Sequence, residues 1–187
     1  MLDEAAKQLM TSGSIAVIPT DTVYGVVARV SDEAAVERLY TLKEREGKPG
    51  TLIAASIDQL EQLGIKRRYL TAVAQYWPGA VSVVLPCGPE LAYLHQGKYS
   101  LAVRIPDVPE LSELLQKTGP LLTSSANHPG EPFATTVEQA KNYFADAVDY
   151  YADAGDLSAN KPSTIIRIID DAVEVIRQGA VRIDQAS

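Results

Sequence analysis

The sequence predicts an α/β fold, a single domain over residues 1–187 built on a mixed β-sheet. Three observations predict it. Short apolar runs rich in Val and Ile alternate with segments of helical periodicity from one end to the other. No internal repeat or low-complexity linker divides the chain. A length of 187 residues with 46% hydrophobic content suits one core of ordinary size.

Leu2, Ala5, Ala6, Leu9 and Met10 recur at helical spacing, and Gly13 ends that helix. Residues 15–18 form a short apolar run stopped by Pro19, a buried strand. Ser31-Asp32-Glu33 opens a second helix whose inner stripe is Ala35, Val36, Leu39, Tyr40 and Leu42; it ends between Lys43 and Gly47. Residues 51–55 read as a strand, followed by weaker helices over 57–63 and 69–76. Trp77-Pro78-Gly79 breaks the chain before a β-rich run at 80–85. A strand at 100–105 ends at Pro106, a helix spans 109–117, a strand 120–123 and a helix 137–144. Two closing strands, 163–169 and 173–177, join through an Asp170-Asp171 turn. The longest loop, 153–162, is rich in Gly, Asp, Ser, Asn and Pro and reads as a lid or a plain surface loop.

The net charge of −7 opposes non-specific attraction to polyanions, so any phosphate chemistry needs a local basic cluster inside an acidic shell. One cysteine, Cys87, excludes an intrachain disulfide and reads as a small packed residue. The N-terminal residues lack an apolar signal region, and no stretch approaches the roughly 18 apolar residues of a membrane span. The cytoplasm is the expected compartment, with no membrane partner.

Four polar segments lie beside strand ends, where α/β folds place ligands. In Pro19-Thr20-Asp21-Thr22-Val23-Tyr24-Gly25 the hydroxyls and the aspartate offer donors and acceptors, although the residues equally describe a turn. Lys43, Arg45 and Lys48 place three cations within six residues at a helix C-terminus. They form an anion site if they converge and a solvated helix end if they do not. In Thr123-Ser124-Ser125-Ala126-Asn127-His128, small hydroxyl residues after a strand can cradle an anion, whereas His128 reads as an exposed loop residue. The fourth group is dispersed: Arg104 at a strand end, Ser163 and Thr164 opening another, and Arg177 before Gly179. Neither a Walker lysine nor a GxGxxG is present.

The order PTDTVYG, KxR with a following KP, WPG, SLAVRIP, SSAN, STI and IRQG resembles the YrdC-like threonylcarbamoyl-AMP synthase family over residues 15–179, in its short single-domain form. The resemblance implies a large twisted sheet around a deep basic cavity. It implies ATP, L-threonine and bicarbonate as substrates, with Mg²⁺ accompanying ATP and no dedicated protein metal cage. Position by position, Lys43, Arg45, Ser125 and Asn127 match the catalytic KxR and SxN residues. Arg45, Lys48, Ser100, Ser125, Asn127 and Arg177 match the ATP side, and Thr22, Arg104 and Ser163 the threonine side. Separate threonylcarbamoyl-transferase proteins would deliver the group to adenosine in tRNA.

The chain departs from the family pattern where Glu46 stands in place of the proline after KxR, with a shorter loop before Lys48. Two other readings stand beside the main one. One is a carbamoyl-AMP-forming relative of the kind embedded in hydrogenase maturation proteins. The other is a non-catalytic double-stranded RNA-binding or ribosome-maturation module; the acidic balance disfavours tight binding of tRNA or double-stranded RNA.

Overall fold

A computed structural model of the chain describes residues 1–170 and 172–184. Among the described residues, the seven expected runs and two further segments form nine strands: β1 (Ile15–Pro19), β2 (Tyr24–Arg29), β3 (Thr51–Ile53), β4 (Val81–Pro86), β5 (Ser100–Arg104), β6 (Leu121–Ser125), β7 (Tyr150–Tyr151), β8 (Thr164–Ile169) and β9 (Ala172–Arg177). They form one sheet in the order β7-β1-β2-β6-β3-β5-β4-β8-β9. β1/β7, β3/β5 and β4/β8 pair in parallel and the other neighbours antiparallel, so the sheet is mixed as expected.

The helices are α1 (Leu2–Leu9), α2 (Glu33–Leu42), α3 (Ile57–Gln62), α4 (Arg67–Ala72), α5 (Ala92–His95), α6 (Pro109–Thr118) and α7 (Val137–Phe144). Asp32 caps α2 by accepting from the Ala35 amide, and its other oxygen accepts from Gly13, which fixes the turn out of α1. Alternation along the strands divides the core in two. On one face Ile15, Val17, Val26, Leu52, Val83 and Val103 pack with α2, α4, α5 and α7. On the other, Ala16, Ile18, Val27, Ile53 and Leu121 pack only under α1 and α6, through Leu9, Leu111 and Leu115.

The structure corrects several boundaries. β2 occupies the second half of what read as a polar turn; buried on both faces, Gly25 to Ala28 shows no alternation to announce it. β6 runs two residues further, so Ser124 and Ser125 belong to the strand. The single-turn α5 and the two-residue β7 were not foreseen, being too short to carry a period. The expected Asp170-Asp171 turn includes Asp171, which lies outside the described residues.

Candidate functional site

The second face of the sheet changes character along its length. Cross-strand register places Gly25, Ser125, Thr123, Thr51, Ala102 and Ser82 on the same pleat as Val27 and Ile53. These residues are too small to fill the space beyond α1 and α6, and a cavity of about 200 Å³ opens there. Thr51, Ala102, Arg104, Thr123 and Ser125 contribute to its floor; Thr22, Arg45, Phe133, Ser163 and Arg177 join its walls.

Arg104, the last residue of β5, carries a side chain only 4% exposed, and Asp21, 5% exposed, answers its charge. Asp21 Oδ1 lies 2.9 Å from Arg104 Nη2, but neither carboxylate oxygen accepts an aligned hydrogen bond, and Arg104 Nε has no partner. Burial pushes the Asp21 carboxyl above its usual range, against the pull of Arg104. Arg104 Nη1 also donates to Ser82 Oγ at 3.2 Å. Ser82 and Ser163 hydroxyls meet at 3.0 Å, and Arg177 donates to Ser163 Oγ at 3.1 Å and to its carbonyl. A hydrogen-bonded line therefore runs Arg104–Ser82–Ser163–Arg177, from β5 through β4 and the residue before β8 to β9. Partial burial lowers the affinity of Arg177 for its proton, and Arg104 and Arg45 lower it further, so the three guanidinium groups share one field.

Gly179 completes that corner. It crosses the main chain of Pro162 and Ser163 so closely that a Cβ would overlap them, while the next amide, of Ala180, donates to the Pro162 carbonyl at 2.8 Å. Only glycine fits that crossing.

Lys43 and Arg45 leave the end of α2 in different directions. Arg45 faces the cavity and donates to the Pro49 carbonyl at 3.1 Å. Lys43 is buried and turned onto the segment after β6, donating to the Ser125 carbonyl at 2.7 Å and to the main-chain and side-chain oxygens of Asn127. Ser125 Oγ donates to Asn127 Oδ1 at 2.7 Å, and Asn127 Nδ2 donates to the Glu131 carbonyl. Asn127 is thus the hub of this turn and Lys43 its brace; neither lines the cavity.

The structure therefore gathers Thr22, Arg45, Arg104, Ser125, Ser163 and Arg177 around one cavity. Lys43, Lys48, Ser100 and Asn127 stand outside its lining. Ser100 shares the pleat of Ala102 two residues further out, and Lys48 is exposed, its amide bonded to Gln96. Glu46 is exposed and lines a neighbouring groove with Glu44, Tyr93 and Gln96, which Arg45 also borders, and it is not part of the cavity lining. Thr22 is buried with its hydroxyl 2.9 Å from that of Thr20. Tyr24 reaches past the wall: its hydroxyl donates to the Gly155 carbonyl at 2.9 Å and accepts from the Ala154 amide at 2.8 Å, fastening the start of the long loop.

His128 corrects its expectation. It is half-buried, its Nε2 lies 2.9 Å from the Tyr143 carbonyl, and its ring packs edge-on against Tyr143 and Phe144. Cys87 is half-buried and burial pushes its thiol up to about 11, an unreactive setting.

Sequence reasoning missed Asp21 and Ser82. Asp21 stood inside a quoted motif but read as a turn former. Ser82 was the one hydroxyl within an otherwise apolar run, and that interruption was the available signal.

The chain is similar to known proteins of one family. The Sua5/yciO/yrdC family, described as "Telomere recombination", matches residues 8–179. A relative from Methanocaldococcus jannaschii is 34% identical over 188 residues, 97% of this chain and 87% of its own. A Marinobacter nauticus relative named threonylcarbamoyl-AMP synthase is 33% identical over 171 residues, 88% of this chain and 90% of its own. Among solved structures, P. abyssi Sua5 complexed with L-threonine superposes with a TM-score of 0.83 at 28% identity. That match covers 95% of this chain and 54% of the archaeal one, so the chain spans about half its length.

Proposed function

The chain belongs to the Sua5/yciO/yrdC family, and we propose that it is an L-threonylcarbamoyladenylate synthase. It condenses L-threonine, bicarbonate or CO₂ and ATP to threonylcarbamoyl-AMP and pyrophosphate. The observation that carries this reading is the convergence of Arg45, Arg104 and Arg177 on a cavity floored by hydroxyls, with no carboxylate in its lining among the described residues. Such a lining suits substrates that are anionic at two ends.

Arg104 receives the threonine carboxylate, with Ser163 and Thr22 beside it. Arg45, Arg177 and Ser125 hold the phosphates, Lys48 and Ser100 reach from the rim, and Lys43 and Asn127 keep the Ser125 turn in shape. Threonine's amine takes up CO₂, and a carbamate oxygen then attacks the α-phosphorus of ATP as pyrophosphate leaves. Charge grows on the phosphoryl and leaving groups, so positioned cations do the catalysis and no protein nucleophile is needed.

The oxygen donors around the cavity are hydroxyls, and no group of three or more carboxylate, His or Cys side chains stands together among the described residues. That donor set fits Mg²⁺ carried in on the ATP phosphates with water as its main ligand; the Ser125 and Thr22 hydroxyls in the lining would be the protein groups able to help hold it. Bound there, Mg²⁺ neutralises charge on the phosphates.

No helix among the described residues is long and apolar enough to cross a membrane; we place the reaction in the cytoplasm. Separate transferase proteins then carry the threonylcarbamoyl group to tRNA, giving threonylcarbamoyladenosine.

The test is pyrophosphate release measured with threonine and bicarbonate each withheld, and a mass-spectrometric search for threonylcarbamoyl-AMP. Release that needs both, with the adenylate detected, supports the synthase. Release that ignores threonine would instead favour a carbamoyl-AMP-forming enzyme, and RNA binding without turnover a non-catalytic module.

A further inference from the structure

We infer that Asp21 and Ser82 are positioning residues that aim Arg104 at its ligand, so that they set the apparent affinity for threonine without touching it. The inference rests on the reading that Arg104 takes the amino-acid carboxylate.

A guanidinium has five N–H donors and no acceptor. In Arg104, Ser82 Oγ takes one of them, on Nη1, at 3.2 Å. Asp21 Oδ1 stands 2.9 Å from Nη2 without lying on an N–H direction. The two neighbours therefore divide the work: Asp21 supplies the opposite charge that a buried arginine requires, and Ser82 supplies direction. Neither residue lines the cavity, whereas Arg104 does.

The donors left over include Nε, which is buried with no partner. Buried donors are nearly always satisfied, yet both Asp21 oxygens stand unpaired beside this one, so the direction of the guanidinium rests on Ser82. Arg104 reaches the cavity lining, where a carboxylate can accept from it.

Ser82 is itself held. It is fully buried in β4, and its hydroxyl meets Ser163 Oγ, which in turn accepts from Arg177. A serine placed on a sheet face between two such partners has little freedom to turn, and the orientation of Arg104 inherits that restraint. Asp21 is fixed differently, by the short turn from Thr20 to Val23, in which Thr20 Oγ1 accepts from the Thr22 amide and donates to the Val23 carbonyl.

The experiment is steady-state pyrophosphate release by Ser82→Ala, Asp21→Asn, Arg104→Ala and the double variant Ser82→Ala/Arg104→Ala, with threonine and ATP varied separately. Ser82→Ala should raise the threonine KM about tenfold, the size of one lost charge-assisted bond, and Asp21→Asn should raise it about as much by removing the charge that holds Arg104 in place. The ATP KM should stay within about twofold and kcat within about threefold. On the Arg104→Ala background, Ser82→Ala should add almost nothing, because the residue it directs is gone.

A purely structural role would instead lower kcat through the active fraction, or raise both KM values together, and either result overturns the inference. So does full additivity in the double variant. Ser82→Ala removes a single oxygen and keeps the test alive if Asp21→Asn does not fold. If Arg104→Ala raises the threonine KM while Ser82→Ala and Asp21→Asn do not, the positioning role fails and the site assignment stands. An unchanged threonine KM in Arg104→Ala defeats both.

Discussion

Lys43 Nζ donates to the main-chain carbonyl of Ser125 across 2.7 Å, joining the residue that caps α2 to the last residue of β6. Its remaining protons go to the oxygens of Asn127. A cation two residues from Arg45 therefore spends its charge on carbonyls and shapes the wall instead of facing the cavity.

That burial is readable by pH. Desolvation first, and Arg45 second, bring Lys43 down from 10.5 to about 8. Below about 8 both folded and unfolded chains hold the proton, and the cost of the buried charge stands in full. From about 8 to 10.5 only the unfolded chain holds it, so folded stability gains as pH rises through this window. Denaturant unfolding of the natural chain and Lys43→Met at pH on either side of the window should show the natural chain gaining relative to the variant. A pH-independent difference would refute a perturbed Lys43.

Arg45→Ala should reduce adenylate formation by about 10²–10³, the usual effect of removing a positioned donor to developing charge. It loses two fixed contacts from one nitrogen, to the Pro49 carbonyl and a longer one to that of Lys48, so its thermal melt should stay close to that of the natural chain. Near-normal turnover in the folded variant would remove Arg45 from the phosphate site.

Tyr24→Phe deletes a hydroxyl that both donates to Gly155 and accepts from Ala154. A stability loss of about 0.5–1.5 kcal/mol is expected, because Ala154 and Gly155 are exposed and water can replace the lost hydroxyl. Amide exchange gives the sharper reading. Ala154 should lose protection, while Ala152, bonded to the Val17 carbonyl, should keep it. Equal protection at both amides would show that the hydroxyl does not fasten the loop.

Gly25 has no room for a methyl group: a Cβ there would stand 2.5 Å from Thr123 Oγ1. Gly25→Ala should cost about 1–3 kcal/mol by overpacking. Adding Thr123→Ala, which removes the obstructing atom, should recover most of that loss in a thermal melt. No recovery would mean that strain elsewhere in β2 is responsible.

The periodic elements were legible because one face of each is wet: α1, α2, α6 and α7 all fall where their apolar stripes placed them. β2 was hidden, since a strand buried on both sides offers no alternation and its first residues belong to a polar motif. The site was legible only as an ordered set of segments. Nothing local to Ser125 or Arg177 says that both border one cavity; β3, β5, β4 and β8 lie between their strands, β6 and β9, in a register that only long-range pairing fixes. Spacing likewise could not say that Lys43 turns inward while Arg45 faces the cavity, or that Glu46 looks into the neighbouring groove. Asp21 and Ser82 escaped notice because their importance comes from one neighbour, Arg104, far away in sequence.

The floor of serine, threonine and alanine bears on how this protein can change. Each of those positions declines an apolar contact that the same pleat accepts under α1 and α6. At about 25 cal/mol per Å² the forgone burial is a standing reserve of stability. Selection for robustness alone would therefore tend to fill the floor with valine and leucine, giving a sturdier and inert protein. Substitutions on the opposite face can only erode the fold, so tolerance and usefulness are segregated to the two sides of a single sheet.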